Sequence, residues 1–128
     1  MELSDDAAFV NLGESYRIPT NSEWKELFEN SSVEWTSNYN DTGITGYILR
    51  SIVTGYTDKY VFLPCAGYYW GYQGSVGQYI VADRIGCGPT ATDTMYFTSD
   101  AIYGCGYLDY ASTSSAKDGN TVRAVFVE

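Results

Sequence analysis

The four residues Thr20-Asn21-Ser22-Glu23 constrain the fold of this chain more than any other stretch of comparable length. A Thr followed three positions later by Glu is a capping box. The hydroxyl accepts from the third residue's amide, and the carboxylate reaches back to the amide of the Thr. Pro19 stands just before it, and Trp24, Leu27 and Phe28 recur at three- and four-residue spacing, so one helix starts here with a single apolar face. Asn30, Ser31 and Ser32 are expected to end it. A shorter helix is expected from Asp5 to Leu12, stopped by Gly13.

Beyond this helix the signal changes to strands. Gly46 to Val53 has a strand composition, Thr57 to Tyr60 reads as a turn, and Tyr60 to Leu63 is a buried strand closed by Pro64. In GYYWGYQGSVGQY (67–79), irregularly spaced glycines punctuate bends rather than regular strand. Gln78 to Ala82, Thr94 to Thr98 and Ala101 to Tyr103 are further short strands. In TVRAVFV (121–127), Val122, Ala124 and Phe126 alternate with Thr121, Arg123 and Val125, the pattern of a half-buried terminal strand. Two short N-terminal helices followed by a loop-rich antiparallel sheet make an α+β fold, and the chain, residues 1 to 128, is expected to be a single domain without repeat or linker.

Charge and composition remove several classes of function. A net charge of −9 argues against nucleic acid or an anionic membrane as partner, because both reward Lys and Arg. No apolar run is long enough to span a membrane, and MELSDDAAF is acidic where a signal peptide is basic and then apolar. There is no His, and Cys65, Cys87 and Cys105 form no CxxC pair, so neither a zinc site nor a His-dependent catalytic triad is expected. Cys87 and Cys105 have the option of pairing in an exported protein, which would leave Cys65 free. No cofactor, metal or catalytic residue is assigned.

The motifs YRIPTNSEWKEL, VFLPCAGYYWG, TMYFTSDAI and GNTVRAVFV, in this order, resemble the C-type lectin fold of bacterial proteins. The opening R-I-P-T-x-x-E-W is similar to that of the formylglycine-generating-enzyme superfamily. The closer resemblance is to the major paralogous domain group of gut bacteria and their phages, many of which are variable proteins of diversity-generating retroelements. It covers residues 5 to 127. Cys65 stands where that group usually has Ala, Tyr79 to Asp83 where it has Y-W-S-S-S, and Asn120 to Arg123 where it has x-S-V-R. The resemblance implies a C-type lectin-like scaffold that displays a ligand-binding face. It also implies an extracellular, cell-surface or phage-tail location conferred by a part outside this chain.

Such retroelements mutate template adenines, often in AAC or AAT codons, and those codons cannot become Trp, Met, Gln, Glu or Lys. Residues 79 to 116 contain one residue of this set, Met95, whereas residues 1 to 78 contain fourteen. Within the depleted segment, YGCGYLDYASTSS (103–115) has the composition of an antibody paratope, where Tyr gives contact area at low entropy cost and Ser and Gly give adaptable polar contacts. The candidate ligand-binding residues are Tyr69, Tyr72, Asp83, Arg84, Ile85, Tyr96, Tyr103, Tyr107, Asp109, Tyr110 and Ser112. Tyr68 and Trp70 are expected in the core beneath the loops. Asp83 and Arg84 suit a charge-assisted anchor, or a plain ion pair at a strand end. Asp93, Asp100 and Asp109 form no Asp-x-Asp-x-Asp calcium loop, and the calcium-type lectin signatures E-P-N, Q-P-D and W-N-D are absent. The segment Arg17 to Trp24 is expected to be scaffold, with Arg123 buried against a carboxylate such as Glu23.

Three functions follow as expectations. The first is a non-catalytic binding module whose variable segment 79–116 recognises a protein or glycan. The second is a structural or adhesin tip domain of a surface or phage-tail assembly without hypervariation. The third, an oxidase of the formylglycine-generating type, needs a copper-holding cysteine pair near the C-terminal motif, and no Cys follows Cys105.

Overall fold

A computed structural model of the chain describes residues 2–67, 71–83, 91–103, 112–115 and 121–128, with backbone alone at 91–93, 103 and 112–115. Helix α1 (Ala7–Leu12) is capped by Asp6. One oxygen of that buried carboxylate accepts from the amides of Ala8 (2.8 Å) and Phe9 (3.1 Å), and the other accepts from the amide of Ile18 (2.8 Å). A single side chain therefore satisfies two orphan helix donors and ties the helix to the strand that follows. The helix stops at Gly13, whose φ of 100° favours glycine.

Helix α2 (Asn21–Glu29) carries both halves of the expected capping box. The Glu23 amide donates to the Thr20 hydroxyl at 3.3 Å, and the Thr20 amide donates to the Glu23 carboxylate at 2.8 Å. Trp24 and Phe28 are buried and stacked at 6.4 Å between ring centroids, while Leu27 packs against the core from the edge.

Strand β1 (Tyr16–Arg17) pairs antiparallel with β9 (Val125–Phe126), so the two ends of the described chain lie side by side. Strands β2 (Ser31–Thr36), β3 (Gly46–Ser51) and β4 (Tyr60–Pro64) form an antiparallel meander. In a third sheet, β6 (Ala91–Phe97) pairs with β5 (Gly77–Ile80) on one side. On its other side it pairs with β7 (Ile102–Tyr103) and β8 (Ser112–Ser115). The fold is α+β with antiparallel sheets and two helices, as the sequence reading expects.

The meander and the third sheet close on one core. Tyr47, Leu49 and Leu63 meet Trp24 and Phe28 from α2 and Tyr79, Val81, Met95 and Phe97 from the third sheet. The two tyrosine hydroxyls inside find partners. The Tyr79 hydroxyl donates to the Pro64 carbonyl at 2.8 Å, and the Tyr47 hydroxyl to the Thr98 carbonyl at 2.8 Å. Burial pushes the Tyr79 hydroxyl well above its ordinary pKa, so it serves as a neutral donor. Gly77 is required for packing, because the Phe97 ring lies where a Cβ would stand.

The structure corrects two expectations and adds a strand. Helix α2 ends at Glu29 with Asn30 as its cap, where the sequence expects it to end, and Ser31 and Ser32 open β2 directly. Val33 and Trp35 face the core there, while Glu34 stays exposed. The Thr121–Val127 stretch is not one alternating strand. Thr121 bridges to Tyr79, Val122 and Phe126 are 41% and 65% exposed, and Val125 is the half-buried residue. Glu23 pairs with Arg17, not Arg123, through two contacts at 2.5 and 2.8 Å, and Arg123 is exposed. Arg17 is near in sequence and enters from β1, so the pair closes locally.

Candidate functional site

The antiparallel register of the third sheet places several candidate residues together. Gln78 is opposite Tyr96, which is opposite Tyr103; Ile80 is opposite Thr94, which is opposite Ser112. Directly opposed residues lie on the same face, so these six positions form two adjacent rows on one face of the sheet. Strands β7 and β8 follow one another along the same edge of β6, because Thr94 and Phe97 each pair with β5 on their other side. Adjacent rows along a strand are about 7 Å apart. The opposite face carries Tyr79, Met95 and Phe97 into the core. The stretch read as paratope-like is thus partly built into the sheet, at Tyr103 and at Ser112 to Ser115. On this face Gln78 and Thr94 are buried, while Ile80 and Tyr96 are half-buried.

The other described candidates lie toward the two ends of β5. Tyr72 opens the turn before β5 and is 59% exposed. Its φ of 63° is an uncommon conformation for a bulky residue, and its carbonyl accepts from the Ser75 and Val76 amides. Asp83 lies beyond the other end of β5, where its carboxylate accepts from the Asn21 amide at 2.7 Å. That amide belongs to the first turn of α2, and the neighbouring Ala82 amide donates to the Pro19 carbonyl at 2.9 Å. One oxygen of Asp83 is therefore engaged by the scaffold. Tyr69, Arg84, Ile85, Tyr107, Asp109 and Tyr110 lie outside the described residues, as do Tyr68, Trp70, Cys87 and Cys105. Cys65 is a buried free thiol, raised by burial above its ordinary pKa.

Two features had no place in the sequence reading. The Tyr39 ring stacks on Phe62 at 3.9 Å and 6°, beside Tyr60, whose ring lies 5.2 Å below the Arg50 guanidinium. The loop that presents Tyr39 holds Asn40 and Asp41 at φ 49° and 59°. No periodicity could show this, because Tyr39 reaches Phe62 through a turn. The second feature is a cleft of about 250 Å³ between α2, β4 and the segment Arg123 to Val125, with an apolar floor that includes Leu27 and Leu63. The alternation of Tyr60 and Phe62 with Val61 and Leu63 was the available signal for it.

Among the described residues no cluster of His, Cys, Asp or Glu could hold a metal ion, and no helix is long and apolar enough to cross a membrane. Comparison with known proteins returned no matching family model, no matching curated protein and no matching solved structure.

Proposed function

We propose that this chain is a non-catalytic binding module: a C-type lectin-like scaffold that displays the segment 79–116 to a protein or glycan, as the variable protein of a diversity-generating retroelement. The observation that carries this reading concerns Met95. It is the one residue of that segment that mutated AAC or AAT codons cannot produce, and it is fully buried at 0% exposure. A diversified segment that crosses a core strand must keep template-fixed residues where the fold needs them, and Met95 sits at such a position. Tyr79, Val81 and Phe97 are buried with it, whereas Tyr96, Tyr103 and Ser112 occupy the opposite face.

The experiment is to sequence the locus that encodes the chain. The expected finding is a near-copy of the 3′ end that differs only at adenines, beside a reverse transcriptase, with the Met95 codon identical in both copies. A locus without such a copy would mean a static face, and the tip-domain reading would replace this one.

A further inference from the structure

Among the described residues β4 is an edge strand, and hydrogen-bond alternation shows which of its backbone groups point away from β3. The Ser51 amide donates to the Lys59 carbonyl, and the Cys65 amide donates to the Thr45 carbonyl, across the β3–β4 ladder. The bonded pairs are therefore those at Lys59, Val61, Leu63 and Cys65, and the pairs at Tyr60 and Phe62 are the non-bonded ones. The amides and carbonyls of Tyr60 and Phe62 point away from β3, and no described residue bonds them. Pro64, which closes the strand, has its carbonyl taken by Tyr79.

Beside this edge runs a groove. The cleft of about 250 Å³ meets two others, of about 330 and 190 Å³, and all three share Leu27. Its apolar lining includes Trp24, Leu27, Leu49, Val61, Leu63 and Val125. Glu26, on the α2 wall, makes no salt bridge among the described residues, while Arg123 lines the first of these clefts and Lys59 the smallest.

We infer that the β4 edge and its groove take an extended peptide segment of a partner protein as an added strand. Two amides and two carbonyls spaced along an open edge match a peptide backbone, and an apolar trough on one side of that edge selects alternate side chains. The peptide places small apolar residues toward Leu27 and a cationic residue near Glu26. A second copy of this chain pairing through its own β4 leaves the groove unfilled, because its Leu63 is fully buried and its Val61 packs partly against its own core. The site lies outside the segment 79–116, so it would engage a partner independently of the displayed face.

The test is to select from a random-peptide library against the full chain and titrate the best synthetic peptide against two variants. Tyr60→Pro removes the outward amide together with the ring, at the first residue of an edge strand where Pro is tolerated. Tyr60→Thr keeps the amide and removes the ring. The expected result is binding by wild type, a similar affinity for Tyr60→Thr, and a loss of about tenfold for Tyr60→Pro. Hydrogen exchange on the wild-type complex, which needs no variant to fold, should show the Tyr60 and Phe62 amides protected by the peptide. The inference is overturned if no selected peptide protects these amides. Equal binding by both variants, equal loss in both, or self-association of wild type that Tyr60→Pro abolishes would also overturn it.

Discussion

Asp83 is the residue on which a ligand-binding role and a scaffold role can be separated most cleanly. Its carboxylate accepts from the Asn21 amide at 2.7 Å, one of the four amides at the start of α2 without an intrahelical partner. The Glu23 amide is satisfied by Thr20, so Asp83 supplies a second cap from a residue far away in the chain. Removing a hydrogen bond to a charged acceptor costs about 1.5 kcal/mol at the partly exposed end of the usual range. A carboxylate at a helix N-terminus adds about 0.5 kcal/mol. Asp83→Ala is therefore expected to lose about 2 kcal/mol, a fall in Tm of about 8 °C for a chain of this size. Asp83→Asn keeps an acceptor and loses the charge, so about half of that is expected. Thermal and urea unfolding followed by circular dichroism measures both. If both variants stay within about 0.5 kcal/mol of wild type, the contact does not hold the fold and the reasoning fails. The carboxylate would then be free for a ligand.

Glu23 should govern part of the acid response. Arg17 holds its carboxyl down to about 2, below the roughly 4.3 of an unfolded Glu. The stabilisation is therefore complete above about pH 5 and lost as pH falls toward 2. Because the pair is about one-third exposed, its worth is about 1 kcal/mol. Glu23→Gln should flatten the stability slope in that window, as measured by urea unfolding at stepped pH. Gly77→Ala should cost about 3 kcal/mol or prevent folding, because the new methyl meets the Phe97 ring; soluble yield and Tm report it. Met95→Ser should cost about 3 kcal/mol and Tyr96→Ser about 1 kcal/mol, although the residues are adjacent, since only Met95 is fully buried. Denaturant titration of the two variants checks that difference.

The elements most legible in the sequence were those whose signal is local. Thr20 and Glu23 cap α2 within four residues, so no tertiary knowledge was needed to find the start of that helix. Tyr60 to Leu63 and Gly46 to Val53 read as strands because they are short, apolar and bounded by turns, and the observed strands are Tyr60–Pro64 and Gly46–Ser51. Strand β2 was missed because Asn30-Ser31-Ser32 carries turn chemistry, and Val33 and Trp35 leave only two apolar residues to show a period of two. The phase of the terminal strand was misread for a tertiary reason. Val125 lines the cleft beside α2, while Phe126 meets Tyr16 edge-on at 5.5 Å on the exposed side. The partner of Glu23 was missed because both Arg17 and Arg123 lie near it, and only geometry separates the cation that bonds from the one at the rim of the cleft.

The candidate site was legible as composition but not as position. Its Tyr, Ser and Gly content identified a stretch suited to contact, yet composition does not report which face of a strand a residue occupies. The register supplies that, and it divides the segment by parity. Tyr79, Met95 and Phe97 fall on the core face, and Tyr96, with Tyr103 and Ser112 opposite its own face, falls on the other. A surface that tolerates change can sit on a β-sheet only if change is restricted to alternate residues, because a strand presents its two faces in strict alternation. Random substitution at Met95 and Phe97 would remove core side chains from β6. If the segment is diversified, variation must therefore follow the parity of Tyr96 within β6, spare the buried Thr94 of that same parity, and run through consecutive residues only where the chain leaves the sheet.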